Sequence, residues 1–422
     1  MICIAKPNLG KEEACAAYDA VLSGWVTQGP RVKEFEDKFA AYVGAKHACA
    51  VSSCTTALHL ALLAVGVQPG DVVVTVSHSF IATANSVRYC GAEPVFVDID
   101  PTTFNMSPAR LEEFLEEKCA RRNGGLYLKE LTLLLRRESP FLFYAKNFKR
   151  TSLGKLGRIA AIMPVHQMGM PCDMKVILSI ARKYQLPVIE DAACAIGSEI
   201  SFDEGKKWER IGRPHGDIAC FSFHPRKIIT TGDGGMLTTN NPAYDRKFRL
   251  LRQHGMTVSD AKRHGSQKVI FENYSTTGFN YRMTDIQAAV GNTQLDRLKE
   301  IVGKRRFLAG RYKRLLSEIT GLGIPAEPSW ARSNWQSYCV RLPKGSNQRQ
   351  VMQAMLDKGI ATRRGIMCSH SEEAYSRSGY STHLKESELA QKNSIILPLY
   401  SQMSELNQGL VCEALSGACF AR

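Results

Sequence analysis

The chain of 422 residues contains 13 cysteines but no Cys-x-x-Cys pair. Without that spacing, or His spacing of metal type, the thiols read as reduced side chains, not as a disulfide framework or a zinc site. No apolar run approaches the length of a membrane-spanning helix. Lys6, Lys11, Glu12, Glu13 and Asp19 interrupt any signal-peptide core in the first twenty residues. Internal repeats, low-complexity tracts and flexible linkers are absent as well. The expectation is a soluble, cytoplasmic protein. Acidic residues are in deficit, with 40 Asp and Glu against 55 Lys and Arg, for a net charge of +15. Such an excess raises nucleic acid as a partner. It is concentrated, however: Lys118 to Arg158 holds eleven basic residues against Glu130 and Glu138. That distribution speaks against a nucleic-acid face.

What is present is a long alternation of apolar strands and helices. Strand signals fall at 72–76, 94–99, 159–165 and 186–193, and helical patterns at 9–24, 32–42, 78–89, 102–118 and 173–184. This predicts an α/β protein with a mostly parallel sheet covered on both faces. At 44% hydrophobic, the chain is too long for one core, so a second domain is expected. Thr284-Asp-Ile-Gln287 is a capping box. It opens a long helical pattern toward Ile319, interrupted at most near Gly303, and the elements beyond Pro325 are mixed α+β. The expected division is a large domain over 1–290 and a small C-terminal domain over 291–422, beginning with a bridging helix. Residues 119–158 interrupt the alternation with an amphipathic piece (126–135) and an aromatic-basic run (141–150). They read as a surface extension or as a patch facing an anionic substrate.

The chemistry centres on Ile218 to Thr239. Ile218–Phe223 reads as a buried strand, Pro225 stops it, and Gly232, Gly234 and Gly235 permit a tight turn before the next strand. Lys227 is thereby presented at the lip of a strand pair. Partial desolvation there predicts a lowered pKa and an amine able to attack an aldehyde, although a lysine in a turn is most often only a surface group. Two further stretches give it a role. Leu186 to Ala193 is a strand ending in acid, and Asp191 would sit beyond its carboxyl end, where open α/β sheets bind ligands. Ala48 to Leu62 runs from strand through a Ser/Thr cluster into a helix. That helix start, with Thr55 and Thr56, offers N–H groups, hydroxyls and a positive dipole end to a phosphate. An amine for an aldehyde, a carboxylate for a ring nitrogen and a helix start for a phosphate together describe pyridoxal 5'-phosphate.

The run Phe221-Ser-Phe-His-Pro-Arg-Lys-Ile-Ile-Thr-Thr-Gly-Asp-Gly-Gly235 resembles the DegT/DnrJ/EryC1/StrS family of sugar aminotransferases. So do Trp25 to Glu36, Glu190-Asp-Ala-Ala193 and Gly278 to Ala289, and the resemblance spans the chain except roughly 119–158. It implies a fold-type I transferase, a homodimer with composite active sites, that moves an amino group from an amino acid such as glutamate to a keto-sugar on a nucleoside diphosphate. It further implies that Lys227 carries the cofactor and Asp191 meets the ring nitrogen. Thr55, Thr56 and Ser222 would bind phosphate, and Phe80 would stack on the ring. Cys194 stands where the family often has Gln or His near the ring hydroxyl, Cys54 where Gly is common, and Asn280 where a residue reaches the partner subunit's cofactor. Trp25, Thr27 and Gln28 fall where the family meets the sugar. His166, His224 and His370 read as structural or substrate-facing. Two alternatives remain: a sugar dehydratase of the same family, in which histidine replaces the lysine, and a non-catalytic regulator on the same scaffold. Lys227 and Asp191 are both present, which disfavours both.

Overall fold

A computed structural model describes residues 1–147, 156–258, 266–376 and 384–420. One group of strands runs in the order His47–Val51, Gly235–Thr239, Ile218–Ser222, Ile189–Asp191, and another in the order Glu93–Val97, Val72–Val76, Ile159–Ile162. Parallel bridges Ile162 to Val188 and Val165 to Asp191 join the two groups edge to edge. Only Gly235–Thr239 is antiparallel to its neighbours. The expected mostly parallel sheet is therefore present.

Side chains alternate between two cores, as a pleat with both faces buried demands. Ala48, Ala50, Val72, Val74, Ala219 and Phe221 enter one cluster. Cys49, Val51, Val73, Cys220 and Leu237 enter the other. Helices cover both faces for local reasons. Pro30–Val43 starts on a proline in its first turn and stops at Gly44, whose φ of 80° suits glycine. Cys54–Ala64 starts on a Ser53–Thr56 capping box and lies over the Ile218–Ser222 and Gly235–Thr239 strands. The expected 78–89 helix begins only at Ala82, so Ser79 and Phe80 lie in the preceding turn. Helix 102–118 likewise shortens to Pro108–Lys118, capped by the Ser107 hydroxyl.

A separate core gathers Leu308, Tyr312, Tyr338, Val340, Ile395, Leu397, Val411 and Leu415. It is built on the strands Tyr338–Arg341, Ser394–Leu397 and Arg363–Arg364. The helix Leu298–Leu316 packs its first half into the large core and its second half into this one. The break that precedes it falls at Arg297 and not near Gly303. There the Arg297 guanidinium is drawn to Glu13 Oε1 at 2.8 Å and Asn8 Oδ1 at 3.0 Å. The chain start joins the small core too, since Ile2 N–H donates to the Gly359 carbonyl and Leu399 N–H to that of Ile4.

The interrupting stretch forms a hairpin, Cys119–Arg122 with Gly125–Leu128, followed by the helix Pro140–Asn147. Residues 148–150 of the aromatic-basic run, and Lys155, lie outside the described residues. Tyr144 donates to the Gly91 carbonyl and Arg158 pairs with Asp71, which places this stretch at the amino ends of the central strands. Arg136 is buried against Phe96, and Arg137 pairs with Glu373.

Candidate active site

A cavity of about 420 Å³ opens beyond the carboxyl ends of the strands. Its lining comes from segments far apart in sequence: Ser53, Cys54 and Thr55; Ser79, Phe80 and Thr83; Asp191 and Cys194; Ser222 and Lys227. Residues of the small core, among them Gln336, Ser337, Arg363 and Arg364, complete it, as do Ile4 and Ala5. No described residue of 119–158 lines it.

Lys227 sits on the loop that leaves one strand at Ser222 and re-enters its neighbour at Gly235. The loop closes through Phe223 N–H to the Gly234 carbonyl and Thr231 N–H to the Phe223 carbonyl. Gly232 adopts φ +86°, and a Cβ on Gly235 would lie 2.3 Å from the Ser53 carbonyl oxygen. Only glycine therefore lets the lysine loop meet the start of the Cys54–Ala64 helix. The amine donates to Cys194 Sγ at 3.0 Å. Its pKa shift corrects the sequence expectation. Desolvation does pull it down, but the Cys194 sulfur, with Cys54 and Asp191 behind it, more than offsets this and the net direction is up. Turn position alone shows the desolvation and hides the sulfur.

Asp191 is buried at 4% exposure. Its Oδ2 accepts from the Thr83 hydroxyl at 2.8 Å and its Oδ1 from Ala193 N–H at 3.2 Å. Burial raises its pKa; those two hydrogen bonds and Lys227 pull it back only in part. Behind it lies Glu190, fully buried. Burial pushes that carboxyl up, yet hydrogen bonds from His166 and from the His215 region hold it well below the usual carboxylate range. Cys172 N–H donates to His166 Nδ1 at 2.9 Å, so Nε2 carries the proton toward Glu190. His166 is thus structural, as one of its two sequence readings had it.

The structure brings Lys227, Asp191, Thr55, Phe80, Ser222 and Cys194 onto one cavity wall and floor. Phe80 is 62% exposed, with its ring open to the cavity. Two expected residues are placed elsewhere. The Thr56 hydroxyl is used by the helix cap, donating to the Ser53 carbonyl at 2.8 Å and accepting from Ser53 N–H at 3.1 Å. Asn280 is exposed and does not line this cavity. Ser53, Thr83, Gln336 and Arg363 were missed. For Thr83 the signal was the hydroxyl-rich run Ser77 to Thr83 after an apolar strand, and for Ser53 the Ser/Thr cluster at the helix start; Gln336 and Arg363 have no local signature.

The residues fit pyridoxal phosphate. Among the described residues no guanidinium or ammonium stands within ion-pair distance of Asp191, so this buried carboxylate suits the charged nitrogen of a pyridine ring. A helix start with the Thr55 and Ser222 hydroxyls beside it suits its phosphate.

Fold and site together suit a pyridoxal-phosphate-dependent enzyme. The chain matches the DegT/DnrJ/EryC1/StrS aminotransferase family over residues 7–122 and 149–416, and it belongs to that family. The unmatched 123–148 fall inside the interrupting stretch. GDP-perosamine synthase of Caulobacter vibrioides is 36% identical over 418 residues, covering 98% of this chain and 97% of its own. The spore coat polysaccharide biosynthesis protein SpsC of Bacillus subtilis is 34% identical, covering 97% and 95%. The aminotransferase TlmJ from Streptoalloteichus hindustanus superposes with a TM-score of 0.79 at 30% identity, covering 99% and 98%.

Proposed function

We propose that the enzyme transfers an amino group from glutamate to a keto-sugar carried on a nucleoside diphosphate, in the making of amino sugars for polysaccharide. Pyridoxal phosphate supplies the aldehyde that joins amines and the ring that accepts electrons when a C–H proton departs. The protein does the rest. Lys227 Nζ holds the cofactor covalently and, when released, carries the proton to and from the reacting carbon. Asp191 keeps the ring nitrogen protonated, and Thr83 orients the carboxylate. Thr55, Ser222 and the helix start bind the phosphate, while Thr56 acts by fixing Ser53. With the cofactor bound, Phe80 would cover one ring face and Cys194 would stand near the ring hydroxyl. Asn280, exposed on its own subunit, reaches the cofactor of a partner subunit in a cytoplasmic homodimer.

The observation that carries this reading is the pairing, in one cavity, of a lysine amine with a buried carboxylate that forms no ion pair among the described residues. The sugar half rests on the 36% identical GDP-perosamine synthase. The test is to incubate the cofactor-loaded protein with glutamate and a panel of nucleotide keto-sugars and to look for aminated product by mass spectrometry. Amination of none of them, with free keto acids aminated instead, overturns the sugar assignment.

A further inference from the structure

Two guanidinium groups stand at the lip of the cavity, one from each core. Arg226 precedes Lys227 on the lysine loop, and its carbonyl is held by Gln336 Nε2 at 2.9 Å. Arg363 lies on a short strand paired to Ile396, and the next turn is pinned by Gly365 N–H on the Ser394 carbonyl. Both side chains are exposed and both line the cavity. Among the described residues neither has an ion-pair or hydrogen-bond partner for its side chain. Arg364 differs, being paired with Glu372 at 3.4 Å. Asp233 and Asp191 are the only acids on the lining; Asp191 is at the buried floor and Asp233 is exposed.

We infer that Arg226 and Arg363 form a diphosphate-binding subsite at the cavity mouth. This rests on the aminotransfer reading above and names the part of the substrate that the mouth recognises. Guanidinium forks match phosphate oxygens two bonds at a time, and two forks on opposed elements match two linked phosphates. Position decides between the oxyanions in play. The carboxylate of an amino donor is attached to the carbon that reacts, so it must lie inside, beside Lys227. The diphosphate is separated from the keto carbon by the sugar ring and reaches outward to the lip.

Calorimetric titration of cofactor-loaded protein with inorganic pyrophosphate and, separately, with glutarate tests this. Arg226→Gln and Arg363→Gln are exposed changes that leave folding intact. Each is expected to weaken pyrophosphate binding by about tenfold or more, the scale of a lost charge-assisted hydrogen bond, with glutarate binding unaltered. Pyrophosphate binding that survives the double substitution overturns the subsite, as does wild-type protein that does not bind pyrophosphate. Loss of glutarate binding in place of pyrophosphate binding assigns the arginines to the donor and overturns it equally. Glutamate alone, followed by the visible absorbance of the loaded enzyme, scores the aminotransfer reading independently. If that half-reaction is absent while the pyrophosphate result holds, it is the chemistry and not the subsite that fails.

Discussion

Replacing Asp191 by Asn removes a buried charge while keeping volume and most hydrogen bonds. The Ala193 N–H at 3.2 Å still finds an oxygen. The Thr83 hydroxyl, now facing an amide N–H, turns to accept and hands its own proton to Ser79 Oγ at 2.8 Å. The fold therefore survives, and two measurements should move in opposite directions. Turnover falls, because the ring nitrogen loses its anionic partner in a water-poor site; such losses cost about 2.7–4 kcal/mol, or roughly 10²–10³ in rate. Stability of the cofactor-free protein responds the other way. Burial raises the Asp191 pKa above its ordinary value, with Thr83, Ala193 and Lys227 pulling it back only in part. A carboxyl raised on folding lends stability that is full below its unfolded pKa and is lost as pH rises through the folded one. Cofactor-free wild type should thus lose stability as pH climbs from about 4 toward neutrality, and the Asn variant should lack that component. Thermal unfolding of both proteins across this range, beside steady-state kinetics, supplies the comparison. Near-normal turnover in the variant, or the same pH dependence of melting in both proteins, refutes the reasoning.

Borohydride treatment of the loaded enzyme should fix the visible chromophore to the peptide containing Lys227; fixation at another lysine removes Lys227 from its role. Glu36→Gln should destabilise the protein by about 3–5 kcal/mol in urea unfolding. Glu36, at 2% exposure, neutralises Arg252 at 2.5 Å and Arg249 at 2.7 Å; Gln leaves the buried Arg252 without a carboxylate, while Arg249 keeps Asp245 at 2.9 Å. A loss under about 1 kcal/mol would mean that water reaches Arg252. Lys227→Ala and Asn280→Ala subunits, co-refolded at limiting cofactor, should recover roughly a quarter of wild-type activity. Mixed dimers then hold one intact site. Activity equal to the average of the separate mutants, with subunit exchange verified, shows that Asn280 does not cross between subunits.

Much of this site could be read in the sequence because its parts announce themselves locally. The Ile218–Ser222 and Gly235–Thr239 strands are apolar and punctuated by Pro225 and three glycines, so the lysine loop between them was visible. Asp191 ends an apolar strand, and the Ser53–Thr56 helix start carries its own cap. Residues whose role depends on distant partners stayed hidden. Thr83 meets Asp191 across 108 positions, and Arg363 and Arg226 are related only as lining of one cavity. Cys194 lies 33 positions from Lys227, and the upward shift of the lysine follows from that contact. The helix break was expected near Gly303, where propensity is weakest, but it falls at Arg297, where the bonds to Glu13 and Asn8 pull. Tertiary anchoring outweighs the roughly 1 kcal/mol that a helical glycine costs.

The pairing of Ile2 with Ile360 sets the order in which the enzyme can become whole on the ribosome. The backbones of Ile2 and Ile4 lack these hydrogen-bond partners until the chain reaches Gly359 and Leu399. At about 5–20 residues per second the amino terminus therefore waits on the order of tens of seconds. The parallel sheet, with Lys227 and Asp191, can close well before then. Ile4 and Ala5 line the cavity together with Arg363 and Leu399, so this part of the wall closes only after Leu399 has been made. A nascent chain thus holds the reactive amine and its carboxylate before the outer wall of their cavity is in place.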